Sequence, residues 1–273
     1  MNSKDISLFF VYISFFFLFI YLFSPYLWLI TAPFLDDAYI DVRIPFSPTL
    51  KHFKSALSGE TLYWILNSLY ISITTTFLSI LVAIPGGYVL SRSRFKGKAT
   101  VMYTIILTRI IPITLLIVPI YSMMLILKLM DTHSSLILIF IGIVTPLNLW
   151  IMKGTIDSIP IELEEAAEIE GATKYKTIYY VIIPLIKPGL GAVSVLSFSA
   201  AWADFLLPLI LLNSDKNYTI SIGIFTAFGF FEEIDYSLLA TMCIIYMLPI
   251  LIVYFMLSSS FSEGFGSIGT TEK

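Results

Sequence analysis

Six long apolar stretches dominate this sequence, and they limit what the chain can become. Each is about 20 residues or longer, which is the length an α-helix needs to cross the hydrocarbon core of a bilayer. The chain is 58% hydrophobic and 13% charged, whereas soluble domains carry about 25% charged residues. We therefore predict an all-α membrane protein with six transmembrane helices. The predicted spans are residues 9–30, 61–91, 99–127, 132–152, 188–214 and 236–262.

The first apolar stretch has two interpretations. Residues 6–35 carry no charge and follow Lys4, as in a secretory signal. However, the stretch is longer than the 7–15 apolar residues of such a signal, and Pro33 is a poor neighbour for a cleavage site. We interpret it as a retained helix. Residues 1–60 are then the first helix with an extracytoplasmic segment, 61–260 the main helical domain, and 261–273 a cytoplasmic tail.

The basic residues predict the orientation of the spans, because cytoplasmic loops are enriched in Lys and Arg. Six spans place both termini and the second and fourth loops on one side of the membrane. That side would hold ten basic residues and the other side five. The expected location is the cell membrane, with several spans and both termini in the cytoplasm.

The densest cluster of charge lies in the predicted fourth loop, residues 155–187, which has five glutamates between Glu162 and Glu170. Pro160 suits the first turn of a helix, and Ser158 or Asp157 could cap it. Gly171 fits the left-handed position that ends helices.

A second short helix is predicted after that glycine, capped by Thr173 and interrupted by Pro184. On the first helix, Leu163, Ala166 and Ala167 recur with helical spacing and form a narrow apolar face. Glu164 and Glu168 are like charges four residues apart and are expected to repel. A charged helix between two spans is either a solvated loop or a docking surface.

Five positions of this loop carry a resemblance. Glu165, Ala166, Ala167, Gly171 and Pro184 have the spacing of the loop signature in membrane subunits of binding-protein-dependent ATP-binding-cassette (ABC) importers. Val181 and Ile183 stand where the family usually has Ile and Leu. The resemblance implies that this loop forms the coupling helix, which docks into a groove on a cytoplasmic ATPase subunit.

Further segments between about residues 60 and 260 are similar to carbohydrate-importer permeases of the maltose type, in particular to the second of their two permease subunits. These segments are Asn67–Leu69, Tyr88–Gly97, Arg109–Pro112, Pro119–Tyr121, Trp150–Gly154, Trp202–Leu209 and Tyr218–Thr219. The resemblance implies a type I ABC importer permease fold. Gly264, Gly269 and Lys273 only loosely match the family tail that reaches the ATPase, and Ala203 replaces a frequent Asn.

The resemblance also implies the partners: a homologous second permease, two ABC ATPases, an extracytoplasmic sugar-binding protein, and no nucleic acid. The sequence has no phosphate-binding loop, nucleophile elbow or zinc spacing, so we expect no catalytic residue, no metal and no cofactor in this chain. ATP and Mg²⁺ would be bound by the partner ATPases.

Two ionisable residues fall inside predicted spans. Arg109 lies about 10 residues into the third span, near 15 Å, and Asp204 about 16 residues into the fifth, near 24 Å. A charge at a helix centre costs at least about 2.5–3.5 kcal/mol, so each is expected to face a partner or a water-filled path. One hypothesis is that Asp204, Trp202 and Arg109 line the passage, with the Trp202 ring stacked on a sugar. The other is that the charged groups fix helix packing.

Other functions remain open at this stage. An importer for a non-sugar solute such as a glycerol phosphate is a close alternative, and an ion-coupled secondary transporter using Asp204 and Arg109 is a more distant one. The single cysteine, Cys243, excludes an internal disulfide. His52 and His133 lie in polar stretches and are expected at the surface rather than as metal ligands.

Overall fold

A computed structural model describes residues 3–229 and 234–268 of the chain, and within these ranges it contains helices and no strand. Contacts divide the chain into two compact units. The smaller comprises residues 1–62 and 223–248, and the larger residues 63–222 and 249–273.

The α-helices of the described residues are, in chain order, α1 (Ser3–Thr31), α2 (Lys51–Ala56), α3 (Gly59–Arg92), α4 (Lys98–Leu107), α5 (Ile117–Ile126), α6 (His133–Asp157), α7 (Glu162–Ile169), α8 (Lys174–Thr177), α9 (Ile183–Leu185), α10 (Lys187–Ala203), α11 (Leu206–Leu211), α12 (Ile220–Gly229) and α13 (Tyr236–Ile268).

Four stretches are long and apolar enough to cross a membrane as single helices. They are Phe10–Phe34, Gly59–Arg92, His133–Asp157 and Tyr236–Leu257. Two further helix pairs pass the same test but are bent, Lys98–Ile110 with Ile113–Ile126 by 88°, and Lys174–Leu185 with Lys187–Ala203 by 75°. With each bent pair as one span, the described residues hold six candidate spans, the number that the sequence predicts. The second pair, however, begins at Lys174, within the predicted fourth loop, instead of at residue 188.

The third span is broken rather than continuous, and Pro112 supplies the reason. A residue that precedes proline is driven out of the helical region toward extended geometry. Ile111 has φ −76° and ψ 115°, which is extended. The helical turn that contains Arg109 therefore ends there, and a new one begins at Ile113.

The fifth apolar stretch, residues 188–214, is broken at Asp204. Pro208 has no N–H with which to bond the Asp204 carbonyl four residues earlier, and its ring would clash with that carbonyl in a helix. The Asp204 backbone is extended, with ψ 133°. Its carbonyl instead accepts a hydrogen bond from the Ser221 hydroxyl at 3.0 Å. The stretch therefore forms α10 and α11 instead of one helix.

The core of the larger unit is built around α6. On one side Gly87 of α3 lies so close that a Cβ atom there would be 2.7 Å from Met152 Cβ. On another, a Cβ at Gly189 of α10 would be 2.3 Å from the Thr155 hydroxyl. Small residues thus let three helices approach closely, as is usual between helices in membranes.

A buried polar contact joins the same three helices. The Asn148 amide on α6 donates to the Ser197 hydroxyl on α10 at 2.8 Å, and the Ser79 hydroxyl on α3 donates to the same oxygen at 3.1 Å. All three side chains are fully buried. Hydrogen bonds between helices in membranes are worth about 0.6–2 kcal/mol each, so this contact adds specificity to the close packing.

The smaller unit corrects the expectation for His52. Its side chain is buried rather than at the surface, with only 3% of the residue exposed. One ring nitrogen lies 3.2 Å from the Asp36 carbonyl oxygen and the other 3.7 Å from the Asp235 carboxylate. His52 therefore joins the loop after α1 to the start of α13. A second hydrogen bond links the same two segments: the backbone N–H of Ala38 donates to the Ser237 hydroxyl at 2.9 Å.

The last helix is longer than its apolar stretch predicts. Helix α13 continues to Ile268, beyond the predicted end of the sixth span at residue 262 and into the expected tail, residues 261–273. Gly269 and Lys273, which figured in the tail comparison, lie outside the described residues.

Candidate coupling loop

The loop helix α7 begins later than predicted and without the predicted cap. It starts at Glu162 after Ile161, and no side chain caps it. The carbonyl of Ile161 accepts from the backbone N–H groups of Glu164 and Glu165 at 2.9 and 3.1 Å. Glutamates at positions 162, 164 and 165 fill the first turn, where negative charge stabilises the helix dipole. The proposed caps at Asp157 and Ser158 are therefore wrong.

The end of α7 is as predicted. Gly171 has φ +86°, the left-handed conformation that favours glycine. Its N–H donates to the Glu168 carbonyl at 3.0 Å, and the next N–H, from Ala172, donates to the Ala167 carbonyl at 2.9 Å. This pair of bonds is a Schellman motif. It turns the backbone sharply between α7 and the next helix.

The second helical segment runs through Pro184 instead of stopping there. Thr173 occupies the N-cap position of α8, with extended backbone but no capping bond from its side chain. A π-helical stretch, Ile178–Ile182, then leads into α9. Single π-helical turns, in which each N–H bonds the carbonyl five residues earlier, are frequent at functional sites. The interruption falls at Ile186, two residues later than predicted.

Apolar side chains of this loop face outward. The residues Ile169 and Tyr175 are each 87% exposed, although Ile and Tyr usually bury most of their surface. Glu165, Ala166, Gly171 and Pro184 are also exposed, and Ala167 is half-buried.

A recess of about 310 Å³ opens beside the Schellman turn. It is lined by Ala167, Glu170, Gly171, Ala172, Lys176, Thr177, Tyr180 and Val181. The small residues of the loop signature therefore border a concave, partly charged surface. Such a surface suits a protein partner more than lipid.

Glu164 behaves unlike its neighbours, and sequence reasoning missed its role. Only 6% of the residue is exposed. One carboxylate oxygen accepts from Arg92 Nε at 2.5 Å and the other from the Tyr88 hydroxyl at 2.8 Å. The sequence does not separate Glu164 from the other glutamates of α7, because its burial depends on Tyr88 and Arg92 of α3.

Arg109 lies at the break in the third span. Its guanidinium donates to the Ile143 carbonyl at 2.9 Å, and no carboxylate of the described residues lies within ion-pair distance. The side chain is exposed on this chain. It borders a recess of about 530 Å³ whose other walls, such as Leu116, Ile120 and Ile139, are mainly apolar.

Asp204 and Trp202 are neighbours with different surroundings. The Asp204 carboxylate is half-buried and accepts from the Leu207 N–H at 2.8 Å, which holds the start of α11. Trp202 is 1% exposed, and its ring stacks on Phe198 with centroids 5.7 Å apart. The predicted stacking of a sugar on Trp202 is not supported, because this ring is buried in packing.

The coupling loop lies in the region of the chain that matches a known protein family. Residues 76–221 match the family described as binding-protein-dependent transport system inner membrane component. The chain belongs to this family. The match includes α7, the Schellman turn and both broken stretches, so the loop signature lies within the family's shared region.

Relatives of this inner-membrane component match most of its length. The galactooligosaccharides transport system permease protein of Bacillus subtilis is 31% identical over 271 residues, covering 97% of this chain and 96% of that protein. The maltodextrin transport system permease protein of the same organism is 32% identical over 224 residues, covering 81% and 80%.

A solved structure confirms the fold. The crystal structure of a bacterial ABC transporter involved in the import of the acidic polysaccharide alginate matches with a TM-score of 0.79. The match has 19% identity and covers 96% of this chain and 99% of that one. The predicted six-span importer permease fold is therefore correct. This inner-membrane component is a multi-pass membrane protein, and the relatives do not support the secondary-transporter or glycerol-phosphate alternatives.

Proposed function

We propose that this inner-membrane component is one of two permease subunits of an ATP-driven importer for oligosaccharides. The two relatives above are named for galactooligosaccharides and maltodextrin, both chains of neutral sugars. The family itself is tied to a binding protein. An extracytoplasmic sugar-binding protein would deliver the substrate, and a homologous second permease would complete the passage.

The observation that carries this proposal is the loop from α7 to α9, whose apolar side chains are exposed to solvent. Helix α7 ends in a Schellman motif, and the loop exposes the apolar side chains of Ile169 and Tyr175. Because the loop is charged, it would lie outside the hydrocarbon core, and lipid would not cover these side chains. Exposed apolar surface of this kind marks a protein interaction site. The partner would be an ABC ATPase, one for each permease, and the docking residues Glu165, Ala166, Ala167, Gly171 and Pro184.

ATP and Mg²⁺ would be bound and ATP hydrolysed by those ATPases rather than by this chain. The distribution of basic residues supports a cytoplasmic loop and cytoplasmic termini. Closure of the ATPase pair would carry the docked loops with it. The permease pair would then change between inward- and outward-facing states, a rigid-body transition of packed helices.

Arg109 and Asp204 are the proposed residues of the passage. An exposed Arg in an apolar span is costly in lipid, so the face of the third span that carries Arg109 would lie against the second permease or water. Asp204 lies at the other helix break, where backbone groups free of helical bonding occur only against protein or a water-filled cavity. Both positions can offer charged hydrogen bonds to sugar hydroxyls.

The test is to isolate the tagged chain from its native membrane in mild detergent and identify the proteins that co-purify. We expect an ABC ATPase and a second multi-span permease. Reconstituted with the binding protein, this complex should take up labelled maltotetraose or galactotriose in an ATP-dependent manner. A chain that remains alone after crosslinking, or a complex that takes up neither saccharide, would contradict the proposal.

A further inference from the structure

Helix α3 has no direct chain connection to the coupling loop, because the loop follows α6 and precedes α10. Its cytoplasmic end is nevertheless held against the loop by side chains. Arg92, the last residue of α3, lies 72 positions from Glu164 and makes an ion pair with it at 2.5 Å. Their side chains are 15% and 7% exposed.

Both carboxylate oxygens of Glu164 and two of the three Arg92 nitrogens bond within the chain. The second Arg92 nitrogen, Nη2, donates to the Ile159 carbonyl at 2.7 Å, just before α7. The Tyr88 hydroxyl, one turn earlier on α3, donates to the free Glu164 oxygen at 2.8 Å. Both carboxylate oxygens are thus occupied. Glu164 is therefore unlike the exposed glutamates of α7, which remain available to a partner.

The contact lies beside a buried hydrophobic cluster. Ile159, Met152 and Ala83 belong to one buried cluster, and Tyr88 packs against it. Beside it the Ser91 hydroxyl donates to Asp157 at 2.5 Å. Charged pairs held this way resist separation, because removing one partner leaves a buried charge without compensation.

We propose that Tyr88, Arg92 and Glu164 form a clamp that makes α3 move as one body with the coupling helix α7. The motion of a docked ATPase then reaches α3 directly, in addition to α6 and α10, which are joined to the loop by the chain. The clamp residues are positioning residues, since they contact neither substrate nor nucleotide. This inference rests on the proposed function.

The distance between α3 and α7 tests the clamp. Cys243 is replaced by Ser, and spin labels are attached at Val89→Cys, an exposed position of α3, and at Glu162→Cys of α7, in the complex with its partners. In the parent the label distance should be equal in the nucleotide-free state and the state trapped with ATP and vanadate. With Arg92→Gln it should differ between the two states by about 2 Å or more.

Transport supplies the second readout. Arg92→Gln should lower oligosaccharide uptake per ATP hydrolysed by about tenfold, within the range of coupling between sites. The charge reversal Arg92→Glu with Glu164→Arg should restore part of it. The matched control is Arg94→Gln, a neighbouring exposed residue outside the clamp, which should change neither readout. If Arg92→Gln fails to assemble, Tyr88→Phe removes one bond and should show a smaller loss.

The inference is overturned if the parent distance changes between the two states, or if Arg92→Gln keeps both the distance and the uptake per ATP of the parent. Co-purification of an ATPase with the parent is measured on the same sample. Its absence counts against the proposed function, whereas unchanged behaviour of an ATPase-bound Arg92→Gln complex counts against the clamp alone.

Discussion

Asp131 organises the loop before α6 through one carboxylate. Its φ of 58° is left-handed, a conformation that Asp adopts more readily than most residues. The carboxylate accepts from the N–H groups of Asn213 and Ser214 at 2.9 and 3.0 Å and from the Ser214 hydroxyl. Its own N–H donates to the Leu211 carbonyl at 2.8 Å. One residue thus fastens the loop before α6 to the loop after α11.

The ionisation of Asp131 should make stability depend on pH. Burial alone would raise the pKa of this carboxyl, but the hydrogen bonds from Ser214 and Asn213 hold it well below its usual range. A lowered folded-state pKa means that the carboxylate stabilises the fold above the unfolded value of about 3.9. That contribution is lost as the pH falls further below that value.

We therefore expect Asp131→Asn to lower the unfolding temperature at pH 7 and to flatten its decline below about pH 4. Thermal unfolding of the detergent-solubilised chain between pH 3 and pH 7 measures both. Asp37→Asn, at an exposed carboxyl, is the control and should reproduce the parent curve. An Asp131→Asn curve parallel to the parent at every pH would contradict this role.

Helix packing in the larger unit depends on a few close approaches. At Gly87 an added Cβ would also lie 3.1 Å from the Lys153 backbone nitrogen, so backbone as well as side chain would have to move. Gly154, on α6, is a helical glycine with nothing within 4 Å of an added Cβ. The two positions differ in packing but not in residue type.

Gly87→Ala should destabilise the chain by about 1–3 kcal/mol, the usual cost of overpacking. Gly154→Ala, its matched control, should be neutral or stabilising by up to about 1 kcal/mol, because Ala favours helix over Gly. Denaturant unfolding in the same detergent compares the two. Equal effects at both sites would show that α3 and α6 are not in close contact.

Hydrophobicity and spacing predicted the six spans and the turn at Gly171, because both follow from local chemistry. They did not place the breaks at Ile111 and Asp204. Pro112 and Pro208 are visible in the sequence, but a proline alone does not predict a break, because three other long helices continue through Pro85, Pro146 and Pro249. The burial of Glu164 depends on Tyr88 and Arg92, which lie 76 and 72 positions earlier in the chain. Tertiary partners of this kind leave little trace in a single sequence.

At the scale of the whole molecule, the coupling loop is the part proposed to connect this chain to an ATPase. Helix α7 and the segment from α8 to α9 are joined by Gly171 alone at a left-handed position. A sharp turn there presents Ala166 and Ala167 on one side of the loop. In the proposed importer, the geometry of this single turn would set which surface a docked ATPase meets.

Gly171→Asp should leave the chain in the membrane but abolish substrate-stimulated ATP hydrolysis by the complex, because it adds a side chain and a negative charge at the turn. Gly97 offers a control: it also has a positive φ, +87°, and nothing within 4 Å of an added Cβ. Gly97→Asp imposes the same backbone strain outside the loop and should keep stimulation. Normal stimulation in Gly171→Asp would rule out the role of the turn.

Helix α1 has a consequence for how the molecule responds to its bilayer. Its 29 residues extend about 43 Å, longer than a hydrocarbon core of about 30 Å. In the most apolar 18-residue stretch of this first span, no residue is buried within the chain. A helix of this length fits a hydrocarbon core of about 30 Å by tilting, so the tilt of α1 should change with the thickness of the bilayer.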